Sequence, residues 1–331
     1  MKSEITYLRK TELFKELEEL QSNQFFAMVD SKVKNQLPEW IQKSSTVFWI
    51  NAPESEKKIE TFTRALEFFL ESGIQRSSQI IAIGGGATTD LAGFVASALL
   101  RGIEWVAIPT TLLAMIDGSI GGKTAINMPQ GKNLVGSFHL PKKVLICGEF
   151  LSTLPEDEWF SGKGELLKYA FLSKKINDLI LNHASMDEIA YACAQFKEEI
   201  VERDLTEQGD RILLNLGHSL GHAFESTLKI PHGKAVALGL YYLFEIMNLP
   251  QLVHELQILM EALGMNPVDY KISKYPQFNL ESFLSYLKYD KKSIDSKIKL
   301  ILVKEVGNCF IQEYPLADLK EKIKDHVDFK N

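Results

Sequence analysis

The first 150 residues alternate short apolar runs with amphipathic segments, and this alternation limits the folds that are open to the chain. The runs have the length of buried strands and are rich in β-branched and aromatic residues. They occur at residues 25–29, 46–50, 80–83, 105–108 and 143–146. Residues 61–71, which lie between two of the runs, have the apolar spacing of an amphipathic helix. Continuous apolar strands alternating with helices predict a parallel sheet that is covered by helices.

The second half of the chain has a different pattern. Beyond Leu151 most of the periodicity is helical, at residues 164–172, 191–204, 215–229 and 236–247. The stretch Lys297–Val303 alternates and predicts a short strand within this helical half. A chain of 331 residues exceeds what one hydrophobic core usually organises. We therefore predict an α/β domain at 1–152 and a mostly helical domain at 153–331.

Charge and cysteine content exclude several classes of protein. The net charge of -6 provides no basic surface of the kind that binds nucleic acid. Cys147, Cys193 and Cys309 form no Cys-x-x-Cys pair, which argues against a disulfide framework and against a thiolate zinc site. We find no secretory signal and no run near the roughly 20 apolar residues that span a bilayer. The expected protein is cytoplasmic and binds neither membrane nor nucleic acid.

A glycine cluster follows the third apolar run. Residues 80–86 lead from a predicted strand into three glycines, and residues 88–97 have the pattern of a helix. Glycines let a pyrophosphate approach the backbone, and a helix N-terminus favours its negative charge. The spacing differs from Gly-x-Gly-x-x-Gly, and glycines at a strand exit are also common in plain turns. The cluster indicates a dinucleotide site or, alternatively, only a turn.

A second glycine-rich segment runs from Asp117 to Asn133. It places Lys123 after two glycines and Lys132 after another, so cationic side chains stand beside flexible backbone. Such a combination suits a phosphate or another anion. The alternative is a solvated surface loop in which the two lysines are incidental.

The third feature is a group of histidines with one carboxylate. His218 and His222 are four residues apart, which puts both on one face of a helix, and His232 follows ten residues later. Glu165 lies on an earlier predicted helix. Two imidazoles and a carboxylate with an open position are the ligands of a catalytic zinc site, and cobalt is also compatible. Spacing does not decide whether His222 or His232 joins His218.

An ordered series of motifs then identifies a resemblance. The series comprises Gly84-Gly-Gly-x-x-x-Asp90, Arg101-Gly-Ile, Pro109-Thr-Thr, Asp117 through Gly136, Glu165-Leu-Leu-Lys168, Lys197 with Asp204, Glu207 and Arg211, Asn215-Leu-Gly-His218-Ser-Leu-Gly-His222-Ala-Phe-Glu225, His232-Gly and Asp290-Lys-Lys. It covers about residues 25 to 305 and resembles the 3-dehydroquinate synthases of the shikimate pathway. The resemblance implies a Rossmann-like N-terminal domain, a helical metal-binding C-terminal domain, an active site between them and a homodimer.

The resemblance also assigns roles to individual residues. The implied metal ligands are Glu165, His218 and His232, which leaves His222 to face the substrate phosphate. The positions that hold NAD are Asp30, Glu54, Lys57, Gly86, Ala87, Thr88, Thr89, Asp90, Thr110, Thr111, Asp117, Lys123, Lys132 and Thr153. The substrate positions are Lys123 and Asn133 near the nicotinamide, Lys197 and Arg211 at the carboxylate, Asn215, His222 and Lys291 or Lys292 at the phosphate, and Arg101 across a dimer interface.

The implied substrate is a sugar phosphate. The reaction converts 3-deoxy-D-arabino-heptulosonate 7-phosphate to 3-dehydroquinate and phosphate through transient oxidation by NAD, phosphate elimination, reduction, ring opening and aldol closure. Three alternatives remain: another sugar-phosphate cyclase of the aminodehydroquinate, deoxy-inosose or valiolone type, a metal-dependent polyol dehydrogenase, and a catalytically silent descendant. Retention of Lys197, Arg211, Asn215 and His222 favours the shikimate substrate.

Four departures from the family's usual residues involve five positions. Thr89 replaces a glycine, Ala52-Pro53 replaces Asp-Gly, and Cys147 replaces an aspartate, all in the predicted NAD-binding half. Lys234 replaces a glutamate two residues after the proposed ligand His232. A lysine there would repel a cation if it pointed toward the metal, and would have no such effect if it pointed elsewhere.

Overall fold

A computed structural model of the protein describes residues 2–21, 25–51, 53–289 and 297–326. The chain divides into two compact units, the first formed by residues up to Glu158 together with Ala190–Thr206 and the second by Trp159–Ile189 with the residues from Glu207 onward. The sequence patterns gave no indication that a segment of the helical half belongs to the first unit. The two units are described separately.

The strands of the described residues are β1 Glu4–Tyr7, β2 Phe26–Asp30, β3 Val47–Ile50, β4 Gln79–Gly84, β5 Glu104–Pro109, β6 Lys123–Met128, β7 Gly131–Phe138, β8 Lys143–Ile146, β9 Lys297–Glu305 and β10 Asn308–Pro315. Six of them form one sheet in the order β1-β8-β5-β4-β2-β3, and all of its pairings are parallel. The predicted parallel sheet is therefore confirmed. Strand β1 and the antiparallel hairpin β6–β7 were not predicted, because neither has a continuous apolar run.

The α-helices of the described residues are α1 Lys10–Gln21, α2 Glu39–Gln42, α3 Pro53–Glu56, α4 Ile59–Glu71, α5 Gly86–Ala98, α6 Glu156–Leu172, α7 Lys174–Leu181, α8 Met186–Arg203, α9 His218–Leu228, α10 His232–Ile246, α11 Pro250–Ala262, α12 Leu280–Tyr289 and α13 Leu316–His326. The predicted α/β half and mostly helical half are both observed. Several helix starts differ from the prediction. Helices α6 and α8 begin earlier, at Glu156 and Met186, and α10 begins directly after Pro231. Helix α9 begins later, at His218, because Gly217 adopts a φ of 76°.

The core of the first unit lies on both faces of its sheet. Every residue of β2 is buried, as are most residues of β4 and β5, so these strands show continuous apolar sequence rather than alternation. Helix α5 packs closely on the sheet at Gly93, where an added methyl group would overlap the side chains of Trp105 and Thr124.

The direction of strand addition reverses between β2 and β4. From β2 the chain adds β3 on one side, then returns to place β4 on the other side of β2, followed by β5. The carboxyl ends of strands at such a reversal are where open parallel sheets bind ligands. Asp30 ends β2, and Gly84 ends β4 immediately before α5. The fold therefore brings two of the predicted NAD-binding segments to one edge of the sheet.

The second unit is built around α6, α9 and α10. Helix α10 is apolar on nearly all sides, and its residues from Ala235 to Leu240 are buried. The predicted strand Lys297–Val303 is confirmed as part of β9, which pairs antiparallel with β10. Among the described residues, no helix has both the length and the apolar character needed to cross a membrane.

Candidate functional site

Three side chains from three helices of the second unit meet at one point. Glu165 lies within α6, while His218 and His232 are the first residues of α9 and α10. Oε1 of Glu165 lies 3.2 Å from Nε2 of His218 and 3.0 Å from Nε2 of His232. One ligand atom from each residue falls within 4.8 Å of the others. These are the three residues that the resemblance assigned to the metal.

Glycines beside the ligands allow the helices to approach this closely. Gly164 precedes Glu165, and Gly233 follows His232; a methyl group added at either glycine would overlap backbone atoms of the facing helix. Gly221 lies opposite Ala235, where an added methyl group would make a tight contact at 3.2 Å from the Ala235 carbonyl oxygen. Side chains at these positions would separate the helices and so the three ligand atoms.

The Glu165 carboxylate is fully buried and surrounded by cationic or hydrogen-bonding groups. Nζ of Lys168, one turn along α6, lies 2.5 Å from Oε2 of Glu165, and both side chains are almost completely buried. Burial by itself would raise the pKa of Glu165. Lys168, His218 and His232 outweigh burial and hold that pKa well below its ordinary value. The carboxylate is therefore ionised, as a metal ligand must be.

The two imidazoles are each held from behind through Nδ1. Nδ1 of His218 lies 3.1 Å from the carbonyl oxygen of Leu216, and Nδ1 of His232 lies 2.8 Å from Oε2 of Glu225. Burial opposes the charged form of His232, but the hydrogen bonds to Glu165 and Glu225 outweigh it and raise the pKa of His232 to about 10. In both rings Nε2 is left on the side of Glu165. A carboxylate and two Nε2 atoms are a donor set that suits Zn²⁺ or Co²⁺.

His222 lies beside this cluster without joining it. Its ring centroid is 5.3 Å from that of His218 and 5.9 Å from that of His232, and its side chain is exposed. Although His218 and His222 share a helix face, the ligand atoms that converge with Glu165 belong to His218 and His232. A shared helix face is thus a poorer guide to the metal ligands than the contact between helices.

The position of Lys234 decides between the two orientations considered for it. Its ammonium group lies 5.6 Å from the ring centroid of Tyr275 and 6.0 Å from that of Tyr270. Both tyrosines are buried, and an ammonium group at this distance from an aromatic ring makes a favourable cation–π contact. The charge of Lys234 is therefore directed to the tyrosines of residues 270–275.

The other predicted substrate residues of the second unit are not among the metal ligands and have their own local contacts. Arg211 is 2% exposed within the 3₁₀ helix Asp210–Asn215. Asn215, at the end of that helix, donates a hydrogen bond of 2.5 Å from Nδ2 to Oε1 of Glu207. Lys291 and Lys292 lie outside the described residues, so their predicted contact with phosphate stays a prediction.

In the first unit, the glycines between β4 and α5 form an open corner. A methyl group at Gly84 would overlap Thr88, and one at Gly85 would come within 3.0 Å of Thr111, whereas one at Gly86 would meet nothing within 4 Å. The backbone at Gly86 is therefore accessible, and the first amides of α5 lie beside it. Such a corner can accept a pyrophosphate. It contains the predicted segment from Gly86 through Ala87, Thr88 and Thr89 to Asp90, with Thr110 and Thr111 at the end of the neighbouring β5.

Three of the predicted residues form a hydrogen-bonded group in this unit. Lys57, which is 4% exposed, pairs through Nζ with the carboxylate of Asp90 and donates a hydrogen bond of 2.5 Å to Oδ1 of Asn133. Burial raises the pKa of Asp90 to about 6, and the opposing effect of Lys57 is smaller. A cation, a carboxyl group and an amide are thus held together beside the N-terminal end of α5.

Lys197 was predicted at the substrate carboxylate and Asp117 at NAD, but the two residues are partners within the first unit. Nζ of Lys197 donates a hydrogen bond of 2.7 Å to the backbone carbonyl of Asp117 and also pairs with its carboxylate. Lys197 is on the part of α8 that belongs to this unit, which explains how residues 80 positions apart in sequence meet. Any anion that binds Lys197 will do so beside this carboxylate.

The remaining predicted residues of the first unit lie outside the group of Lys57, Asp90 and Asn133, although Glu54 is linked to Asn133 through Asn127. Asp30 accepts a hydrogen bond of 3.0 Å from the backbone N–H of Lys32, and burial raises its pKa. Lys123 and Lys132 are exposed on the hairpin β6–β7. Glu54 accepts a hydrogen bond of 3.0 Å from Asn127, and Thr153 accepts one of 2.6 Å from Gln36. Arg101 is exposed and has a φ of 71°.

Sequence reasoning assigned no role to two residues that touch the metal-ligand group. Lys168 lies three residues after Glu165, and that spacing indicates a shared helix face. Glu225 lies seven residues after His218, which is again the same face two turns later. The spacing could have indicated Lys168, but the contact of Glu225 with His232 depends on how α9 and α10 pack.

Comparison with known proteins identifies the family of the chain. The family described as 3-dehydroquinate synthase N-terminal matches residues 47–161, and the family described as 3-dehydroquinate synthase C-terminal matches residues 162–293. A 3-dehydroquinate synthase from Staphylococcus carnosus is 40% identical over 301 residues, which cover 85% of this chain and 83% of the relative.

Solved structures share the fold. A 2-deoxy-scyllo-inosose synthase complexed with carbaglucose-6-phosphate, NAD+ and Co2+ superposes with a TM-score of 0.80 at 24% identity, covering 97% of this chain and 96% of the other. The 2-epi-5-epi-valiolone synthase of Streptomyces hygroscopicus, with NAD+ and Zn2+ bound, gives a TM-score of 0.81 at 22% identity, covering 100% and 98%. At these identities the two structures establish the fold, while the family matches and the closer relative establish the lineage. The chain belongs to the 3-dehydroquinate synthase family.

Proposed function

We propose that the protein is a 3-dehydroquinate synthase, a phosphate-eliminating carbon–oxygen lyase that uses NAD and one divalent cation, Zn²⁺ or Co²⁺. Its substrate would be 3-deoxy-D-arabino-heptulosonate 7-phosphate and its products 3-dehydroquinate and phosphate. The observation that carries the proposal is the convergence of Glu165, His218 and His232 in a chain that is 40% identical to a 3-dehydroquinate synthase.

The residues of the second unit fit a catalytic cation. Two Nε2 atoms and one buried, ionised carboxylate would provide three ligands to the cation, a number that leaves room for the substrate to bind it as well. When bound, NAD accepts and returns a hydride, and the cation supplies Lewis-acid polarisation. Lys168 keeps Glu165 ionised and so maintains its capacity as a ligand.

The residues of the first unit fit a dinucleotide. The open backbone at Gly86 and the first amides of α5 can bind the pyrophosphate. Lys57 and Asp90 offer a donor and a hydroxyl-binding carboxylate at the same end of the helix. Asp117 orients Lys197 through two contacts, so that the ammonium group has a fixed position rather than a set of rotamers.

The substrate carries a carboxylate and a phosphate, and the second unit has side chains for such groups. Arg211 provides a buried guanidinium, which can bind a carboxylate through two parallel hydrogen bonds. Asn215 provides a side-chain amide, and His222 provides an exposed imidazole beside the metal-ligand group. We also propose that the protein is a cytoplasmic homodimer, in which Arg101 of each protomer reaches the substrate across the dimer interface.

A different sugar-phosphate cyclase is the second candidate. Its support is the shared fold with the inosose and valiolone synthases at 24% and 22% identity. The greater identity to the 3-dehydroquinate synthase, 40% over 301 residues, favours the shikimate substrate. The retained ligand set makes a catalytically silent descendant the weakest alternative.

The test is phosphate release from 3-deoxy-D-arabino-heptulosonate 7-phosphate by the purified protein with NAD and Zn²⁺. A parallel sample is treated with EDTA, and the carbocyclic product is identified by mass spectrometry and NMR. We expect metal-dependent phosphate release, formation of 3-dehydroquinate and no net NADH. Turnover only with another sugar phosphate would indicate a different cyclase, and net NADH would indicate a dehydrogenase. Absence of turnover with this substrate and with every other sugar phosphate tested would contradict the proposal.

A further inference from the structure

We propose that Glu225 is a positioning residue for the metal site and acts through His232. It would accept a hydrogen bond from Nδ1–H of His232, fix the plane of the ring and leave the Nε2 lone pair directed to the metal. The inference rests on the proposed function only in assuming a cation at Glu165, His218 and His232. No step of the reaction is assigned to Glu225.

The geometry places His232 between two carboxylates. Oε2 of Glu225 lies 2.8 Å from Nδ1, and Oε1 of Glu165 lies 3.0 Å from Nε2. A neutral imidazole has one N–H donor and one acceptor nitrogen. Each nitrogen of His232 faces a carboxylate that accepts and cannot donate when ionised. A cation bound at Glu165 would take the place of the proton on Nε2, and Glu225 would hold the remaining proton on Nδ1. Nε2 is then the nitrogen that faces Glu165 and is available as a ligand.

His232 depends on such a partner more than His218 does. The His218 side chain is 10% exposed and the His232 side chain is 30% exposed, so fewer packing contacts fix the second ring. Behind His218 the acceptor is the carbonyl oxygen of Leu216, a neutral group two residues away. Behind His232 it is the anionic oxygen of a residue on another helix.

Helix packing explains how Glu225 reaches His232. Glu225 lies on α9 seven residues after His218, so both are on the face that meets α10. Contact between Gly221 and Ala235 holds the two helices close to one another. The Glu225 side chain is 22% exposed, and partial burial strengthens a charge-assisted hydrogen bond. The contact is therefore both short and shielded.

The consequence is a difference in metal affinity that can be measured without substrate. Loss of an outer hydrogen-bond partner of a metal-ligating histidine typically weakens metal binding by about 10-fold to 100-fold. Glu225→Ala removes the acceptor, and we expect a loss in that range. Glu225→Gln keeps an amide oxygen that can accept from Nδ1, so we expect a smaller loss. Glu261→Gln on α11 is the matched control, since it removes an exposed carboxylate, and we expect no effect.

The experiment uses the full chain and measures Zn²⁺ and Co²⁺ affinity by competition with a chromophoric chelator, without NAD or substrate. The visible spectrum of the Co²⁺ form and the thermal midpoint of the metal-free protein are recorded for each variant. We expect Glu225→Ala to weaken affinity and alter the Co²⁺ spectrum, with partial rescue by Glu225→Gln.

Unchanged affinity and an unchanged Co²⁺ spectrum in folded Glu225→Ala protein would overturn the inference, even if its thermal midpoint fell. Equal losses in Glu225→Ala and Glu261→Gln would also overturn it. A wild-type protein that binds metal but fails to turn over sugar phosphates contradicts the proposed function and leaves this comparison intact. A wild-type protein with no affinity for either metal would overturn both.

Discussion

Nζ of Lys168 lies 2.5 Å from Oε2 of Glu165, and the two side chains are 1% and 0% exposed. A buried carboxylate without a counter-charge is strongly unfavourable, so this lysine allows Glu165 to stay ionised among apolar helices. Because both residues belong to α6, this pair does not depend on contacts with the histidines of α9 and α10.

Removing the lysine should therefore destabilise the metal-free protein. We expect Lys168→Met, which keeps most of the side-chain volume, to lower the free energy of unfolding by about 3–5 kcal/mol, because Oε2 of Glu165 is left buried without its cationic partner. Urea unfolding with and without Zn²⁺ measures this, and bound cation should reduce the difference. The control is Lys174→Met, which breaks an exposed pair with Asp178 and should cost at most about 1 kcal/mol. Equal effects of the two substitutions would be incompatible with this account.

His218 and His222 should differ in their effect on metal content. His218→Ala removes an Nε2 atom 3.2 Å from Oε1 of Glu165, so we expect the protein to lose its metal on dialysis. His222→Ala should keep the metal but impair phosphate release, since His222 lies outside the ligand group. Metal analysis by mass spectrometry and the phosphate assay separate the two effects. Similar metal loss in both variants would show that the assignment of ligands is wrong.

Asp90 should make stability depend on pH in the acidic range. Because burial raises the pKa of Asp90 from 3.8 to about 6, the folded protein keeps a proton that the unfolded chain has already released. This contribution is complete below the unfolded pKa and is lost as pH rises through about 6. The loss amounts to roughly 3 kcal/mol.

The measurement is urea unfolding between pH 4 and pH 7 for wild type and Asp90→Asn. Subtracting the two curves removes the titration of other groups, and we expect wild type to lose stability relative to the variant as pH rises. Asp178→Asn, which alters an exposed carboxylate, provides the control. A difference curve that is flat or rises in favour of wild type would contradict the raised pKa.

The approach of α6 and α10 should be as important as the ligands themselves. A methyl group at Gly164 would overlap the backbone at Gly233, so Gly164→Ala must push apart the helices that carry Glu165 and His232. We expect a loss of about 1–3 kcal/mol from overpacking together with weaker Zn²⁺ binding. Thermal unfolding and chelator competition measure the two effects.

The control for this substitution is Gly131→Ala, whose added methyl group would meet only the flexible side chain of Leu134, at 3.4 Å. It should leave both stability and metal affinity close to wild type. Full metal affinity in Gly164→Ala would mean that the helices can separate without disturbing the ligands, and the proposed role of the glycine contact would then be wrong.

Local sequence patterns were sufficient for most secondary structure. The apolar runs became β2, β3, β4, β5 and β8, since such runs reflect burial on both faces of a sheet. The start of α9 was placed three residues too early, at Asn215, because the left-handed backbone of Gly217 cannot be inferred from periodicity. The hairpin β6–β7 was missed because β7 is largely exposed and its glycines and lysines resemble a loop.

Partners that are distant in sequence were less accessible to this reasoning. Lys197 and Asp117 were assigned to substrate and cofactor separately, and their direct contact follows from the packing of part of α8 with the first unit. Lys234 could be placed in two ways until its distances to Tyr270 and Tyr275 were known. Such contacts depend on how helices and loops are arranged, and one sequence contains no periodic signal for them.

The amino-acid sequence was enough to predict the parallel sheet, the helical second half, the glycine cluster before α5 and the chemical types of the metal ligands. These properties depend on residue type and local spacing, which the chain displays directly. Residue spacing left His222 and His232 open as partners of His218, the family resemblance indicated His232, and the folded structure brings His232 together with His218 at Glu165. The contact of Glu225 with His232 was found only in the folded structure. The ligand atoms meet where α6, α9 and α10 come into close contact at glycines. Local residue spacing could not predict this meeting, because the contact between helices is a property of the folded chain.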